Sequence, residues 1–255
     1  MTTYLIIIIA NILIGGMIGL TGVAGFLLPI LYSGFMGMPT AQALALSFFA
    51  FLISGVLGAW NYYEAKNLDL RLAVMISLGS LIGAVIGVRL NLLIDEAIVK
   101  KILYTVVLLS GISILLRKDN AEETDKMTGA SDSAKLISAP VCIFFGFVTG
   151  AICSLSGAGG PVLVMPLLVV LGVPVKTAVG VALFDSVFIA IPSCIGYSMQ
   201  CDILSIGGIL TVSLISHAAG VWAGSKNTAF IKPEILKKGV AVFSIILAII
   251  KLITG

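Results

Sequence analysis

The sequence predicts an all-α integral membrane protein with two internal repeats, and three observations lead to this fold class. The chain of 255 residues is 59% hydrophobic and only 11% charged, whereas soluble domains average about 25% charged residues. Its mean hydropathy is +1.18, and apolar runs of bilayer-spanning length recur along it. One polar segment, residues 117–135, divides the chain almost in half, and the two halves resemble each other. The chain has a net charge of only +3, and its Lys and Arg residues form no cluster in the sequence. We therefore do not expect nucleic acid as a partner.

A spanning helix needs about 20 mostly apolar residues, and the chain contains eight candidate runs. They are 4–20, 40–62, 70–90, 97–116, 136–155, 175–198, 203–224 and 235–254. The segment 117–135 is rich in charge and poor in apolar residues, which is typical of a solvated linker. We therefore expect a first membrane repeat over residues 1–116, a polar linker over 117–135 and a second membrane repeat over 136–255.

The two halves align at a separation of 135 residues, with a later slip of two residues. The matched pairs include Gly22 with Gly157, Gly37 with Gly172, Pro39 with Pro174, Tyr62 with Tyr197 and, after the slip, Gly83 with Gly220. A single match could arise by chance among so many glycines, but a consistent offset through a whole half indicates an internal duplication. Duplications of this kind are common in secondary transporters.

Each half also opens with an interrupted element. A glycine cluster follows the first span, and then a short apolar run ends at a Gly-x-Pro turn; the runs cover 26–36 and the residues after Pro161. About 11 helical residues extend roughly 16 Å, which is about half a bilayer. Non-helical backbone at that depth persists only inside protein or beside a water-filled cavity. Each half should therefore hold a broken-helix pair plus three full transmembrane helices; the alternative is an extramembrane loop with a short helix.

The basic residues predict how the halves are oriented. An odd number of crossings in each half places 11 Lys and Arg residues on one side and 4 on the other, whereas an even number divides them 7 against 8. The excess of basic residues in cytoplasmic loops favours the odd number. The repeats are then inverted, the linker is cytoplasmic and both termini lie outside.

Two titratable side chains fall in the middle of predicted spans. Asp185 lies within 175–198, and His217, the only histidine, lies within 203–224. Because a charge at that depth costs about 2.5–3.5 kcal/mol on insertion scales, Asp185 should face a cavity, face a partner or be protonated. We interpret both residues as a proton-coupling site, since protonation removes the repulsion between a carboxylate and a bound anion. The alternative is a hydrogen bond that merely joins two helices.

An anionic substrate would have to be held by backbone amides and hydroxyl groups, because no Lys or Arg lies at the centre of a span. The N-termini of half-helices supply unpaired N–H groups and the positive end of the helix dipole. We expect the two glycine clusters to meet at the pseudo-twofold axis and to line one cavity. The predicted substrate-binding residues are Thr21, Gly22, Gly25, Gln42, Ser154, Ser156, Gly157, Gly159 and Gly160.

The other patterns predict structure rather than chemistry. There is no CxxC pair, no His/Cys cluster with metal-ligand spacing and no phosphate-binding loop in a usable context. We therefore expect no metal, no cofactor and no enzymatic activity. The Gly-xxx-Gly motifs predict close helix packing, either within the chain or in a homodimer.

Two glycine-rich stretches carry a resemblance to a known family. Residues 19–29 (GLTGVAGFLLP), residues 156–161 (SGAGGP), the two Gly-x-Pro turns and the late Gly-xxx-Gly motifs together resemble the TauE/SafE sulfite exporter family. The resemblance implies a multi-pass permease of a bacterial or archaeal inner membrane that exports sulfite, sulfoacetate or related organosulfonates. We therefore interpret the chain as a secondary transporter of a small sulfur-containing anion, with proton coupling. The alternatives are a passive anion channel and a non-transporting membrane scaffold.

Overall fold

The computed structural model describes residues 2–22, 24–95 and 138–226, together with scattered positions within 97–112 and 242–252. In chain order its helices are α1 (Thr2–Thr21), α2 (Ala24–Phe35), α3 (Thr40–Glu64), α4 (Leu70–Leu93), α5 (Ala139–Ser156), α6 (Gly160–Val170), α7 (Val175–Ser198) and α8 (Gly207–Lys226). Six of these described helices, all except α2 and α6, are long and apolar enough to cross a membrane. The predicted all-α membrane fold class is confirmed. Of the predicted spans 97–116 and 235–254 the structure describes only scattered positions, and the linker 117–135 lies entirely outside the described residues.

The short helices α2 and α6 correspond to the interrupted element predicted in each half. The backbone turns before each of them at a glycine with positive φ, 71° at Gly22 and 75° at Gly157. It turns again after each of them, at Gly37 with 65° and at Gly172 with 87°. Only glycine adopts such φ values without a steric penalty, so these four glycines fix where the short helices begin and end.

Helix α2 is irregular along its length. It begins as a 3₁₀ turn over Ala24–Phe26, continues as an α turn over Leu27–Pro29 and ends as a π-helix over Ile30–Phe35. The π-helical turn brings Tyr32 into the interior, where its side chain is fully buried. Segments of π-helix are rare and occur frequently at functional sites.

Helices α3 and α7 form the centre of the fold. They are the most buried of the six long helices, and they pack against each other. A Cβ atom added to Gly55 of α3 would lie only 2.9 Å from the carbonyl oxygen of Leu183 in α7. The backbones of these two helices therefore approach closely, as small residues permit in membrane proteins.

The outer helices pack in two pairs, and each pair joins the two halves of the chain. Helix α4 packs along α5, and α1 packs along α8. A Cβ added to Gly83 would collide with the carbonyl oxygen of Phe147, and one added to Gly220 would collide with that of Ile12. Both Gly-xxx-Gly motifs are thus buried within the chain, so neither face is available for the homodimer that the sequence also allowed.

The close contacts in the two outer pairs involve equivalent positions when the two halves of the sequence are aligned. Gly87 meets the carbonyl oxygen of Ala151 in the pair α4–α5, and Gly224 meets that of Gly16 in the pair α1–α8. Gly87 aligns with Gly224, and Gly16 aligns with Ala151. Such correspondence is what a duplication predicts, although the repeat itself stays a prediction.

Candidate substrate and coupling sites

The glycine clusters of the two halves lie against each other in the interior. A Cβ on Gly25 would stand 3.6 Å from the carbonyl oxygen of Ala158, and one on Gly22 would stand 3.6 Å from the Cβ of Pro161. All four residues are buried. The N-terminal ends of α2 and α6 therefore meet at one place, and we call this place the break junction.

The aromatic ring of Phe51, from α3, packs inside the break junction. A Cβ added to Gly25 would lie 2.9 Å from this ring, and one added to Gly159 would lie 3.2 Å from it. Phe48 contacts Phe51 edge to face with ring centroids 5.5 Å apart, and it stacks on Tyr197 at 5.6 Å. A ligand that approaches the backbone of Gly159 must therefore contact this ring or displace it. This position of Phe51 could not be predicted from the sequence, because Phe51 is one aromatic residue among many in an apolar run.

The two remaining glycines of the predicted site have different neighbours. A Cβ on Gly160 would lie 3.2 Å from the Cα of Ser186 in α7. A Cβ on Gly157 would meet the side chain of Leu44 in α3. Gln42, two residues before Leu44 in the first turn of α3, is half-buried. The second glycine cluster is thus enclosed by the inner faces of α3 and α7.

Helix α6 begins at the break junction without a side-chain cap. Its N-cap residue is Gly159, which has no side chain to accept a hydrogen bond from the first turn. The N–H of Val162 reaches the carbonyl of Gly159 at 3.3 Å, and Pro161 has no N–H to satisfy. A helix N-terminus carries a partial positive charge, and here that charge is buried without a side-chain partner.

The side-chain hydroxyl groups of the three Ser and Thr residues predicted for substrate binding form hydrogen bonds within the protein. Thr21 donates to the carbonyl oxygen of Met17 at 2.8 Å, and Ser156 donates to that of Ile152 at 2.7 Å. Ser154 lies within hydrogen-bond distance of Ser193 in α7, at 2.7 Å, and it also reaches α4 at the carbonyl oxygen of Ala84, at 3.0 Å. Ser154 therefore joins α5 to both neighbouring helices, a structural role that its sequence position did not reveal.

Asp185 is buried in the middle of α7 with no hydrogen-bond partner for either carboxyl oxygen. Helix α4, which packs against α7, carries the buried residues Ser77 and Ser80. The hydroxyl of Ser77 is also buried and unpartnered, while Ser80 donates to the carbonyl oxygen of Gly146 at 3.0 Å. Because each unsatisfied buried polar group costs about 1–3 kcal/mol, the unpartnered carboxyl group of Asp185 does not stabilise the fold.

His217 lies in a different helix junction, between α8 and α3. It is fully buried, and its Nε2 lies 2.6 Å from the Oγ of Ser54, while its Nδ1 has no partner. The hydroxyl of Ser54 also donates to the carbonyl oxygen of Ala50 at 2.9 Å. No hydrogen bond joins Asp185 to His217. The bond between His217 and Ser54 joins α8 to α3, which is the structural alternative that the sequence allowed for His217.

A polar network anchors α2 to the pair α1–α8. The side-chain amide of Asn11 donates to the hydroxyl of Tyr32 at 2.9 Å, and that hydroxyl donates to Ser213 at 3.0 Å. All three residues are buried. The first short helix is thereby fixed to both helices of one outer pair.

The interrupted helices, the buried carboxyl group and the six apolar spans define a multi-pass membrane protein of the transporter class. The chain belongs to the sulfite exporter TauE/SafE family, whose profile matches residues 4–250. It is similar to "Probable membrane transporter protein YdhB" of Bacillus subtilis, with 22% identity over 239 residues, 92% of this chain and 95% of that protein. It is also similar to "Probable membrane transporter protein MJ0441" of Methanocaldococcus jannaschii, with 27% identity over 184 residues, 69% of this chain and 66% of that protein. No solved structure matches the chain.

Proposed function

We propose that the chain is a secondary transporter that exports a small sulfur-containing anion, such as sulfite or an organosulfonate. The observation that carries this proposal is the buried, uncapped N-terminus of α6 at the break junction. Helix N-termini bind anions through their free N–H groups and their dipole. Among the described residues no Lys or Arg side chain is buried, so the helix end is the positive element available there.

The proposal includes two inverted repeats with the break junction on their pseudo-twofold axis. Equivalent hydrogen bonds support the duplication: Tyr62 donates to the carbonyl oxygen of Gly19 at 3.5 Å, and Tyr197 donates to that of Ser154 at 2.8 Å. Midplane binding between inverted repeats is common among transporters. The excess of basic residues in one set of loops then places the linker 117–135 in the cytoplasm.

Proton coupling is the second part of the proposal, and Asp185 is its first residue. An ionised carboxylate and an anion repel each other strongly in a medium of low dielectric constant. A protonated Asp185 removes this repulsion, so substrate and proton move together. His217 is the second coupling residue, because its unpartnered ring nitrogen can take up a proton and attract an anion.

Proteoliposomes that contain the full chain test both parts. A substrate panel of sulfite, thiosulfate, sulfate, sulfoacetate and taurine is offered with and without a pH gradient between about pH 5 and 8. We expect uptake of at least one sulfur anion and its accumulation against a concentration gradient when the pH gradient is imposed. Flux that only follows the concentration gradient of the anion would identify a passive channel. The absence of flux for every anion would contradict transport and favour the non-transporting scaffold.

The substitution Asp185→Asn separates binding from coupling. Asparagine has the shape of the protonated carboxyl group but cannot release a proton, so binding and substrate exchange should persist while accumulation driven by the pH gradient is lost. Binding is measured by equilibrium dialysis, and exchange is measured with labelled substrate on both sides. If Asp185→Asn still concentrates substrate with an unchanged pH profile, Asp185 is structural and the coupling proposal is wrong.

A further inference from the structure

The ring of Phe51 lies at the N-terminus of α6 and packs against both glycine breaks. Its side chain is only 3% exposed. A Cβ added to Gly25, in the first break, would lie 2.9 Å from Cε1 of this ring. In the second break the ring meets Gly159, which is the N-cap residue of α6. An anion that binds the first turn of α6 must therefore share the break junction with this ring.

The ring presents its flat side to Gly159. A Cβ on Gly159 would lie 3.2 Å from Cε2, 3.2 Å from Cζ and 3.4 Å from Cε1. A point beyond the tip, in the plane of the ring, would be clearly closer to Cζ than to either Cε atom, so these nearly equal distances place Gly159 above the ring face. The face of an aromatic ring carries the negative part of its quadrupole. In this position the ring of Phe51 therefore repels an anion at the helix end.

The second half of the chain has the equivalent contact without a ring. At the separation of 135 residues, Gly25 aligns with Gly160. Phe51 aligns with Ser186 at the same separation. A Cβ on Gly160 would lie 3.3 Å from the Cβ of Ser186, whose hydroxyl group donates to the carbonyl oxygen of Leu183 at 2.7 Å. A glycine break can thus pack on a long helix without an aromatic ring, so packing alone does not require the ring of Phe51.

Two further aromatic rings connect Phe51 to α7. Phe48, one turn earlier in α3, meets Phe51 edge to face with an interplanar angle of 87°. Phe48 also stacks on Tyr197 of α7 with an interplanar angle of 7°. The hydroxyl of Tyr197 donates to the carbonyl oxygen of Ser154 in α5, at 2.8 Å. The position of the Phe51 ring therefore depends on how α3, α5 and α7 are packed.

We propose that Phe51 is the gate of the anion site: in this structure its ring closes the N-terminus of α6, and the ring leaves the break junction when an anion binds. This inference rests on the proposed anion site. It adds that an apolar side chain from the first half of the chain closes the empty site, and that part of the binding free energy is used to displace it. The stacked rings of Phe48 and Tyr197 connect this displacement to α7, the helix that carries Asp185.

The substitution Phe51→Leu tests the gate through the affinity for anions. Leucine is shorter and has no aromatic face, so the helix end should be open in the protein without ligand. The apparent affinity of a protein is reduced by the fraction of molecules in the competent state, and a minor state is populated to about 0.1–10%. We therefore expect the dissociation constant to fall about tenfold or more. Equilibrium dialysis of the full chain in detergent, at one pH, measures it for each compound of the substrate panel.

Two further variants keep the affinity measurement interpretable. Phe184→Leu shortens a half-buried ring of α7 that packs on Phe188 with centroids 5.3 Å apart, and its affinity should equal that of the unmodified protein. Phe51→Met replaces the ring by a flexible side chain that fills irregular gaps and has no aromatic face. It should therefore bind anions more tightly as well, and it tests the gate if Phe51→Leu fails to fold.

Fluorine NMR follows the ring itself. When para-fluorophenylalanine replaces phenylalanine throughout the chain, the resonance that is missing in Phe51→Leu belongs to Phe51. An anion that binds should shift this resonance, because the ring leaves the break junction. The resonance of Phe184, assigned in the same way, should stay in place. A resonance of Phe51 that stays in place while an anion binds would overturn the gate.

The outcomes distinguish the gate from the anion site on which it rests. Tighter binding by the Phe51 variants, together with a shifted Phe51 resonance, supports the inference. Affinities of the Phe51 variants that equal that of Phe184→Leu, or are weaker, overturn the gate while the anion site stands. If no compound of the panel binds to the unmodified protein or to any variant, the proposed anion site is wrong, and the gate with it.

Discussion

One added methyl group tests the close packing of the outer helix pairs. In Gly83→Ala, the new Cβ of α4 would lie well inside van der Waals contact with the carbonyl oxygen of Phe147 on α5. Both atoms are fixed to helix backbones, so neither can rotate away as a flexible side chain would. The two helices must separate, and the contacts along their shared length weaken.

Two opposing effects determine the size of the change. Overpacking a buried site costs about 1–3 kcal/mol, and a backbone contact belongs at the upper end of this range. Alanine gains about 1 kcal/mol over glycine in helix propensity. We therefore expect Gly83→Ala to lower the free energy of unfolding by about 2 kcal/mol, which corresponds to a melting temperature about 4–8 °C lower.

Gly16→Ala is the matched control. Gly16 lies in α1 of the other helix pair, and a Cβ there would stand 3.6 Å from the carbonyl oxygen of Gly220, an ordinary contact. This variant keeps the propensity gain without the collision, so it should melt at or above the temperature of the unmodified protein. Thermal unfolding of the purified chain in one detergent measures both variants. Equal melting temperatures for Gly83→Ala and Gly16→Ala would refute the close approach of α4 and α5.

Two further substitutions test the interior. Tyr32→Phe removes the hydroxyl that connects α1, α2 and α8, and it should lower the free energy of unfolding by about 1–3 kcal/mol; no change in the melting temperature would show that the network does not stabilise the fold. Gly159→Ala combines a positive φ of 80° with a Cβ directed at the ring of Phe51, so it should abolish anion uptake. Gly172→Ala has a similar φ of 87° but no atom within 4 Å of the new Cβ, so it should lose stability and retain uptake; equal uptake by these two variants would argue against a role for the break junction.

The long helices could be predicted because length and apolar content are local properties of the sequence. The span predicted over 175–198 has the same bounds as Val175–Ser198, and the span predicted over 40–62 ends two residues short of Glu64. The largest shift occurs at α8, which begins at Gly207 rather than at residue 203. The carboxyl group of Asp202 accepts hydrogen bonds from the N–H groups of Leu204 and Ser205, at 3.2 and 3.4 Å. This local turn delays the helix.

The candidate sites were only partly predictable. Asp185 stands out in a sequence because an ionisable residue in an apolar span is rare, and paired glycine clusters stand out because they recur. Ser54, the partner of His217, carries no such signal, since serines are frequent throughout the apolar runs. It becomes significant only when helices distant in sequence pack together and place it against His217. The position of Phe51 between the breaks likewise depends on tertiary packing.

The interleaved outer pairs also constrain how the chain is made. Helix α1 packs along α8, which follows it by most of the length of this chain. Helix α4 likewise cannot pack against α5 until α5 has been synthesised, and α5 follows the polar segment 117–135 in the chain. Until then the glycine faces of the first half contact lipid or the insertion machinery instead of another backbone. Neither half can complete its own packing, so the native fold forms only once α8 has been inserted.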